Sequence, residues 1–184
     1  MKIEIMHEAG YEQAFVGLSL SYKQPVGNMP DVAQRIHAKE DGHNKFLESM
    51  LVWLDITAAR YWWQQFDTYR IGVTKQSEST MHTLLKRPLT QGDFEGEIDP
   101  ATLAHLNELI AAREFVQAKR ELPESFLQRR VICTNYKTIR RMIRQRSTHR
   151  LAEWQTFCAT MCSALAHAEF VQDCLSPNLA KVAV

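Results

Sequence analysis

The sequence predicts one domain that mixes helices with a few short strands, and three observations carry that reading. Its 184 residues are 45% apolar and include four Trp and eight Phe, enough to build a real core in a single domain spanning 1–184. Short segments at 2–6, 51–56 and 131–134 read as strands, by alternation in the first and as extended apolar runs in the others. Longer segments repeat their apolar residues every three or four positions, the spacing of a helix with one buried face.

The elements follow in order. After the opening strand, Gly10 punctuates the chain, and residues 11–22 are two-sided: the first half suits a helix, the second alternates like a strand. Residues 23–30 hold two prolines and a glycine and predict a loop, with Asp31 capping a helix to about residue 38. Gly42 ends that helix, and His43, Phe46, Leu47 and Met50 share the next helical face. Residues 58–69 predict a helix whose stripe is Ala58, Tyr61, Trp62, Gln65 and Tyr69. Residues 70–74 are extended, and Ser77, Ser79 and Thr80 are cap candidates for a helix through 81–85. Residues 87–97 predict a surface loop. Asp99-Pro100 is a cap followed by a first-turn proline, opening a helix that carries Leu103, Leu106, Leu109 and Ile110 to about residue 119. Pro123 predicts another short helix, and Thr134 or Asn135 caps the helix after the third strand. Ser147 or Thr148 caps the last one, whose stripe is Leu151, Trp154, Cys158, Met161 and Leu165.

Charge is unevenly placed. The chain holds 22 Lys and Arg against 21 Asp and Glu, yet residues 119–150 contain ten basic residues and only Glu121 and Glu124 as acids. Such a segment points to an anionic ligand, with phosphate the first candidate. No run of apolar residues is long enough to span a membrane, and the opening residues lack the apolar core of a signal peptide, so the expectation is a cytoplasmic protein without a membrane partner. Reduced core thiols follow for the four cysteines; no CxxC or HxxxH pattern accompanies them, and no metal site is expected.

Two polar residues stand out because they fall on apolar stripes. Gln65 lies in the middle of one, and an amide buried there needs a partner, either a backbone carbonyl or a ligand. Asn135, Ile139, Met142 and Arg146 lie at 0, 4, 7 and 11, so Arg146 points inward and requires an acid such as Glu48 or Glu153, or a bound anion. Arg140, Arg141 and Arg144 fall on other faces and are expected at the surface or between subunits.

Two blocks resemble the flavin-dependent thymidylate synthases. In the first, His43 and Glu48 keep that family's five-residue spacing, Gln65 falls on its helical glutamine, and Arg70 falls on the last arginine of its Arg-His-Arg signature. In the second, Leu122-Pro123, Asn135-Tyr136-Lys137, Arg146 and His149 with Glu153 follow the family's order. Thr68 and Tyr69 stand at the first two signature positions, Lys137 replaces an arginine, and Leu151 replaces a glutamine. The family's serine turn corresponds to Ser77 or Ser79 without its arginine.

The resemblance implies an α+β fold with an antiparallel sheet packed with helices, and a homotetramer whose sites lie between subunits. It implies FAD held by His43, Arg70, Asn135 and Lys137, and a deoxyuridine nucleotide (dUMP) held by Gln65, Ser77 or Ser79, Lys119 and Arg146. Ser77, Ser79 and Arg146 also take the catalytic roles. The implied reaction is that of a diverged relative: a one-carbon unit passes from methylenetetrahydrofolate to C5 of the base, with flavin hydride and NADPH as reductants. Two other readings use the same basic segment. A non-catalytic nucleotide- or nucleic-acid-binding protein would place it on phosphates, although Phe126 and Tyr136 are the only aromatic residues interleaved with it. A structural subunit would merely solvate it.

Overall fold

The computed structural model describes residues 1–39 and 42–175. Its four strands are β1 (Lys2–Ala9), β2 (Leu51–Ala59), β3 (Thr74–Ser77) and β4 (Leu127–Asn135), in the order β1-β2-β4-β3. Eight α-helices are described: α1 (Tyr11–Tyr22), α2 (Met29–Ile36), α3 (Arg60–Phe66), α4 (Thr80–Thr83), α5 (Pro100–Ala111), α6 (Phe115–Glu121), α7 (Tyr136–Arg146) and α8 (Ala152–Ala164). The architecture is α+β, an antiparallel sheet with helices.

Contacts divide the chain into two units. The first comprises Met1–Lys2, Ile56–Tyr69 and Lys75–Val131; the second comprises Ile3–Asp55, Arg70–Thr74 and Ile132–Val184. In the first, α3 starts directly from the end of β2, and its leading amides at Arg60 and Tyr61 donate to the carbonyls of Phe126 and Glu124. Those bonds satisfy donors that a helix start otherwise leaves orphaned. Trp62, Trp63 and Phe66 are fully buried. Trp63 donates its indole N–H to the carbonyl of Gln128 (2.9 Å), and Arg130 lies over its ring while pairing with Asp67. A separate core gathers Leu84, Leu89, Phe94, Leu106, Ile110, Ala118 and Leu122.

In the second unit the buried faces of α1, α2, α7 and α8 supply Phe15, Leu18, Met29, Val32, Ile139, Met142, Ile143, Trp154, Phe157 and Met161. The four cysteines are thiols, and burial pushes those of Cys158 and Cys162 up to about 12 and about 11.

Several expected elements change. Residues 11–22 are helical throughout, because Ala14, Phe15, Leu18 and Ser19 form one buried face and the apparent alternation has no strand partner to serve. Asp31 lies inside the first turn of α2, with Pro30 beside it; the helix starts three residues early, with Asn28 at the cap position and Pro30 in the first turn, where its missing N–H costs nothing. The helix expected over 58–69 begins only at Arg60, since Ala58 and Ala59 complete β2. The long helix from Pro100 ends at Ala111 because Arg113 adopts a left-handed conformation (φ 61°), after which α6 starts afresh. Asp99 does cap α5, accepting from the Thr102 amide at 2.8 Å. Pro123 opens a turn, not a helix: Leu122 before it is extended, as a residue preceding proline prefers, and Phe126 bridges to Phe94.

Candidate functional site

The second unit contains a cleft of about 720 Å³ built on the start of α7. Strand β4 runs into α7 without a loop, so the residues at that junction are set by both elements. Asn135 is extended and caps the helix, its Oδ1 accepting from the Thr138 amide at 2.9 Å. Lys137, two residues further on, donates to Glu48 Oε1 at 2.6 Å. The turn at Ile71-Gly72 closes on the same junction. Thr134 Oγ1 donates to the Gly72 carbonyl at 2.8 Å, and a Cβ on Gly72 (φ +71°) would stand 2.4 Å from Thr138 Oγ1. Only glycine fits that approach. Ile71 beside it is 82% exposed and gives the cleft an apolar wall.

The remaining wall is basic. Arg140, Arg141 and Arg144 line the cleft with Gln145, and Glu48 is its one acidic lining residue among the described residues. Arg140 is only 3% exposed, contrary to the surface position expected for it. Its guanidinium donates to both carboxylate oxygens of Asp173, at 2.9 Å for Nη2, and to the Phe170 carbonyl. Burial opposes ionisation of Asp173, but hydrogen bonds and charge from Arg140, with His37 at 3.6 Å, outweigh it and hold the carboxyl below its usual range. Asn44 also lines the cleft; its side chain is buried, its Nδ2 donates to the His37 carbonyl, and its Oδ1 has no partner among the described residues.

Of the residues expected around a flavin, Asn135 and Lys137 meet on this cleft. His43 does not. It is exposed in the turn before a short 3-10 helix, Lys45–Glu48, while Phe46, Leu47 and Met50 from its expected face are buried. It lines a second cleft of about 550 Å³ with Gln13, Ser21, Tyr22 and Lys45, and Glu48 borders both clefts. Arg70 is exposed just before Ile71, outside the residues that line the first cleft. Arg146 is half-buried, and its guanidinium lies 5.0 Å from the centre of the buried Trp154 ring, a cation-π contact that the stripe did not reveal. Of its two expected acid partners, Glu48 and Glu153, Glu48 is bonded to Lys137.

The residues expected around a nucleotide, Arg146 apart, all belong to the first unit. Gln65 is half-buried on α3, and Thr68 Oγ1 donates to its carbonyl at 2.7 Å. Ser77 is exposed at the end of β3. Ser79 holds the cap position of α4, but its side chain makes no capping bond. Lys119 donates to Thr80 Oγ1, the residue after Ser79. Burial and the neighbouring Arg60 guanidinium both lower the Lys119 pKa. The cleft of about 580 Å³ in this unit is lined by Thr57, Glu78, Arg87 and Arg129 among others, and by none of these four.

Sequence reasoning missed Arg140, Arg141, Arg144, Asn44 and Gly72. A signal existed for Arg140: Tyr136, Arg140 and Ile143 lie at 0, 4 and 7, a stripe whose two ends are as apolar as Ile139 and Met142 on the neighbouring one.

Comparison with solved structures gives a consistent result. A flavin-dependent thymidylate synthase from Helicobacter pylori complexed with FAD and dUMP matches with TM-score 0.80 and 19% identity, over 96% of this chain and 100% of that one. The chain has the fold of that enzyme. A second Helicobacter pylori structure, also with FAD and dUMP, matches with TM-score 0.78 and 19% identity, over 96% and 99% of the two chains. A UMP/dUMP methylase from Streptomyces cacaoi, bound with 5-Br dUMP, matches with TM-score 0.71 and 14% identity, over 96% and 97%. No protein-family model matches the chain, and no curated protein matches it in sequence. Among the described residues no helix is long and apolar enough to cross a membrane.

Proposed function

We propose that this chain is a diverged thymidylate synthase-like enzyme that binds FAD and transfers a one-carbon unit to C5 of a deoxyuridine nucleotide, dUMP. The observation that carries the reading is the basic cleft at the start of α7, where Asn135 and Lys137, the residues that the resemblance assigns to flavin, stand together. The fold likeness supports it, since solved examples of that fold hold FAD and dUMP.

The residues present fit a flavin dinucleotide. A diphosphate suits guanidinium and ammonium donors, and Lys137, Arg141 and Arg144 supply them. The exposed Ile71 offers an apolar wall to a ring. Asn44 Oδ1, which has no partner among the described residues, suits a hydroxyl or ring N–H donor. FAD, once bound and reduced by NADPH, would supply the hydride. The chain supplies placement: Asn135 and Lys137 orient the cofactor, with His43 and Arg70 as further contacts. Gln65, Ser77 or Ser79, Lys119 and Arg146 hold the nucleotide, the serine and Arg146 also serving the chemistry.

Methylenetetrahydrofolate as one-carbon donor, NADPH as co-substrate, a cytoplasmic location and a single functional domain complete the proposal. So does a homotetramer, for which the exposed Val16 and Leu20, four residues apart on α1, offer apolar surface. A second reading keeps the binding and drops the reaction. Tyr69 stands where the resemblance has a histidine, and it is buried, so no imidazole is offered there.

Titration of the full-length protein with FAD, followed by visible absorbance and retention on gel filtration, tests the proposal. Retained flavin is expected, and no binding overturns it. Transfer of a labelled one-carbon unit to dUMP separates the two readings.

A further inference from the structure

β3 is the shortest strand of the sheet. It has four residues, stands at the edge beside β4, and leaves Thr74, Gln76 and Ser77 exposed. Lys75 is its one partly buried residue. A strand with so few buried contacts opens easily on its own. The Lys75 ammonium reaches the C-terminal end of α3, where it lies 5.9 Å from the centre of the Phe66 ring and donates to Asp67 Oδ1 at 2.6 Å. The same carboxylate receives a second cation, this one from β4. Arg130 Nη1 donates to Asp67 Oδ1 at 3.0 Å and to Oδ2 at 3.2 Å, and its guanidinium lies 4.4 Å from the centre of the Trp63 ring. Burial opposes ionisation of Asp67, but hydrogen bonds and charge from Lys75 and Arg130 outweigh it and hold the carboxyl below its usual range. All of these residues belong to the first unit. Side chains two apart on a strand share a face, so Ser77 projects on the side from which Lys75 reaches α3. Gln65 lies two residues before Asp67 on the same helix end.

We infer that Asp67 is a positioning residue for the nucleotide: by binding Lys75 it fixes the Ser77 strand against the end of α3 that carries Gln65. One carboxylate thereby sets two candidate nucleotide contacts, one on each element. The nucleotide rests on the function proposed above; the clasp rests on Asp67, Lys75 and Arg130 themselves. The sign of the effect separates this role from a direct one. A carboxylate that acts on a nucleotide phosphate by its own charge repels it, so removing that charge tightens binding. A carboxylate that holds the strand in place does the opposite.

Calorimetric titration of the full-length protein and its variants with dUMP and with FAD, together with hydrogen exchange over residues 75–78, tests the inference. Asp67→Asn weakens dUMP by roughly fivefold, the scale of a partly exposed ion pair, leaves FAD unchanged and speeds exchange over 75–78. Asp67→Glu, which keeps the charge, restores most of the affinity. Lys75→Met, which leaves the Asp67–Arg130 pair in place, reproduces the loss, and adding Asp67→Asn to it changes little more. Tighter or unchanged dUMP binding in Asp67→Asn, equal losses of dUMP and FAD, or additive losses in the double variant would overturn the inference. Unchanged exchange over 75–78 in Asp67→Asn overturns it as well, whatever the protein binds. Wild-type protein that binds no dUMP removes the nucleotide reading, and faster exchange in Asp67→Asn and Lys75→Met then upholds the clasp without it.

Discussion

Arg140 and Lys119 are both partly withdrawn from water, and their units treat them in opposite ways. Around Arg140 the second unit places Asp173, 33 residues further along the chain, and the Phe170 carbonyl. Around Lys119 the first unit places the hydroxyl of Thr80 and a second cation, Arg60. One charge is neutralised by the fold; the other is made easier to lose. A cation whose counter-ion is built in holds structure, whereas a cation set beside another is a better place to receive an anion. By that criterion Arg140 is scaffold under the cleft, and Lys119 keeps its place among the nucleotide candidates.

Three measurements break or sharpen the contrast. The largest effect is expected at Asp173. Asp173→Ala leaves the Arg140 guanidinium buried without its carboxylate, costing about 3 kcal/mol, the low end for a broken buried pair because Asp173 is partly exposed. Urea unfolding reads it directly. Because the Asp173 pKa is depressed in the folded protein, its contribution is present above the ordinary aspartate value of about 3.9 and is lost as pH falls through the folded value. An unchanged midpoint in Asp173→Ala would mean that the pair is not what holds Arg140.

Next in size are Gln65→Ala and Arg146→Ala. Each is expected to weaken dUMP binding by about tenfold or more, since hydrogen bonds to charged groups contribute roughly 1.5–3 kcal/mol. Unchanged affinity in both sinks the nucleotide assignment and gives Arg146 a structural role, of which its contact with Trp154 is part.

The smallest effect concerns Lys119. Its folded pKa is lowered, first by burial and then by Arg60, so between that value and the ordinary lysine value the unfolded chain binds more protons. Stability should therefore rise with pH through that window, opposite in sense to a lysine held by an acid. The same titration of Lys119→Met should lose the rise; its persistence would place the source elsewhere.

What could be read in advance was what neighbours in sequence decide. Asn135 as a cap and Asp99-Pro100 as a helix start need only a few adjacent residues, and both are present. The stripe of Trp154, Cys158, Met161 and Leu165 is likewise buried. Charge was less legible. Residues 119–150 looked unbalanced, yet Asp67, Glu48 and Asp173, all outside the segment, pair with Arg130, Lys137 and Arg140. The break at Arg113 was hidden because no glycine marks the left-handed residue there. His43 was misplaced for a related reason: a 3-10 turn does not keep the face that 3.6-residue spacing assumes.

Tyr136 sits between the two cleft residues Asn135 and Lys137, with its side chain buried. Its hydroxyl donates to Glu8 and accepts from the amide of His167, while Glu8 also takes the amide of Ala166. These links join β1 to partners 128 and 158 residues away in sequence. During synthesis the first strand therefore leaves the ribosome long before anything exists to receive its carboxylate. Its anchoring waits for residues 166 and 167, and a chain cut short before them lacks the amides that hold Glu8 and the Tyr136 hydroxyl.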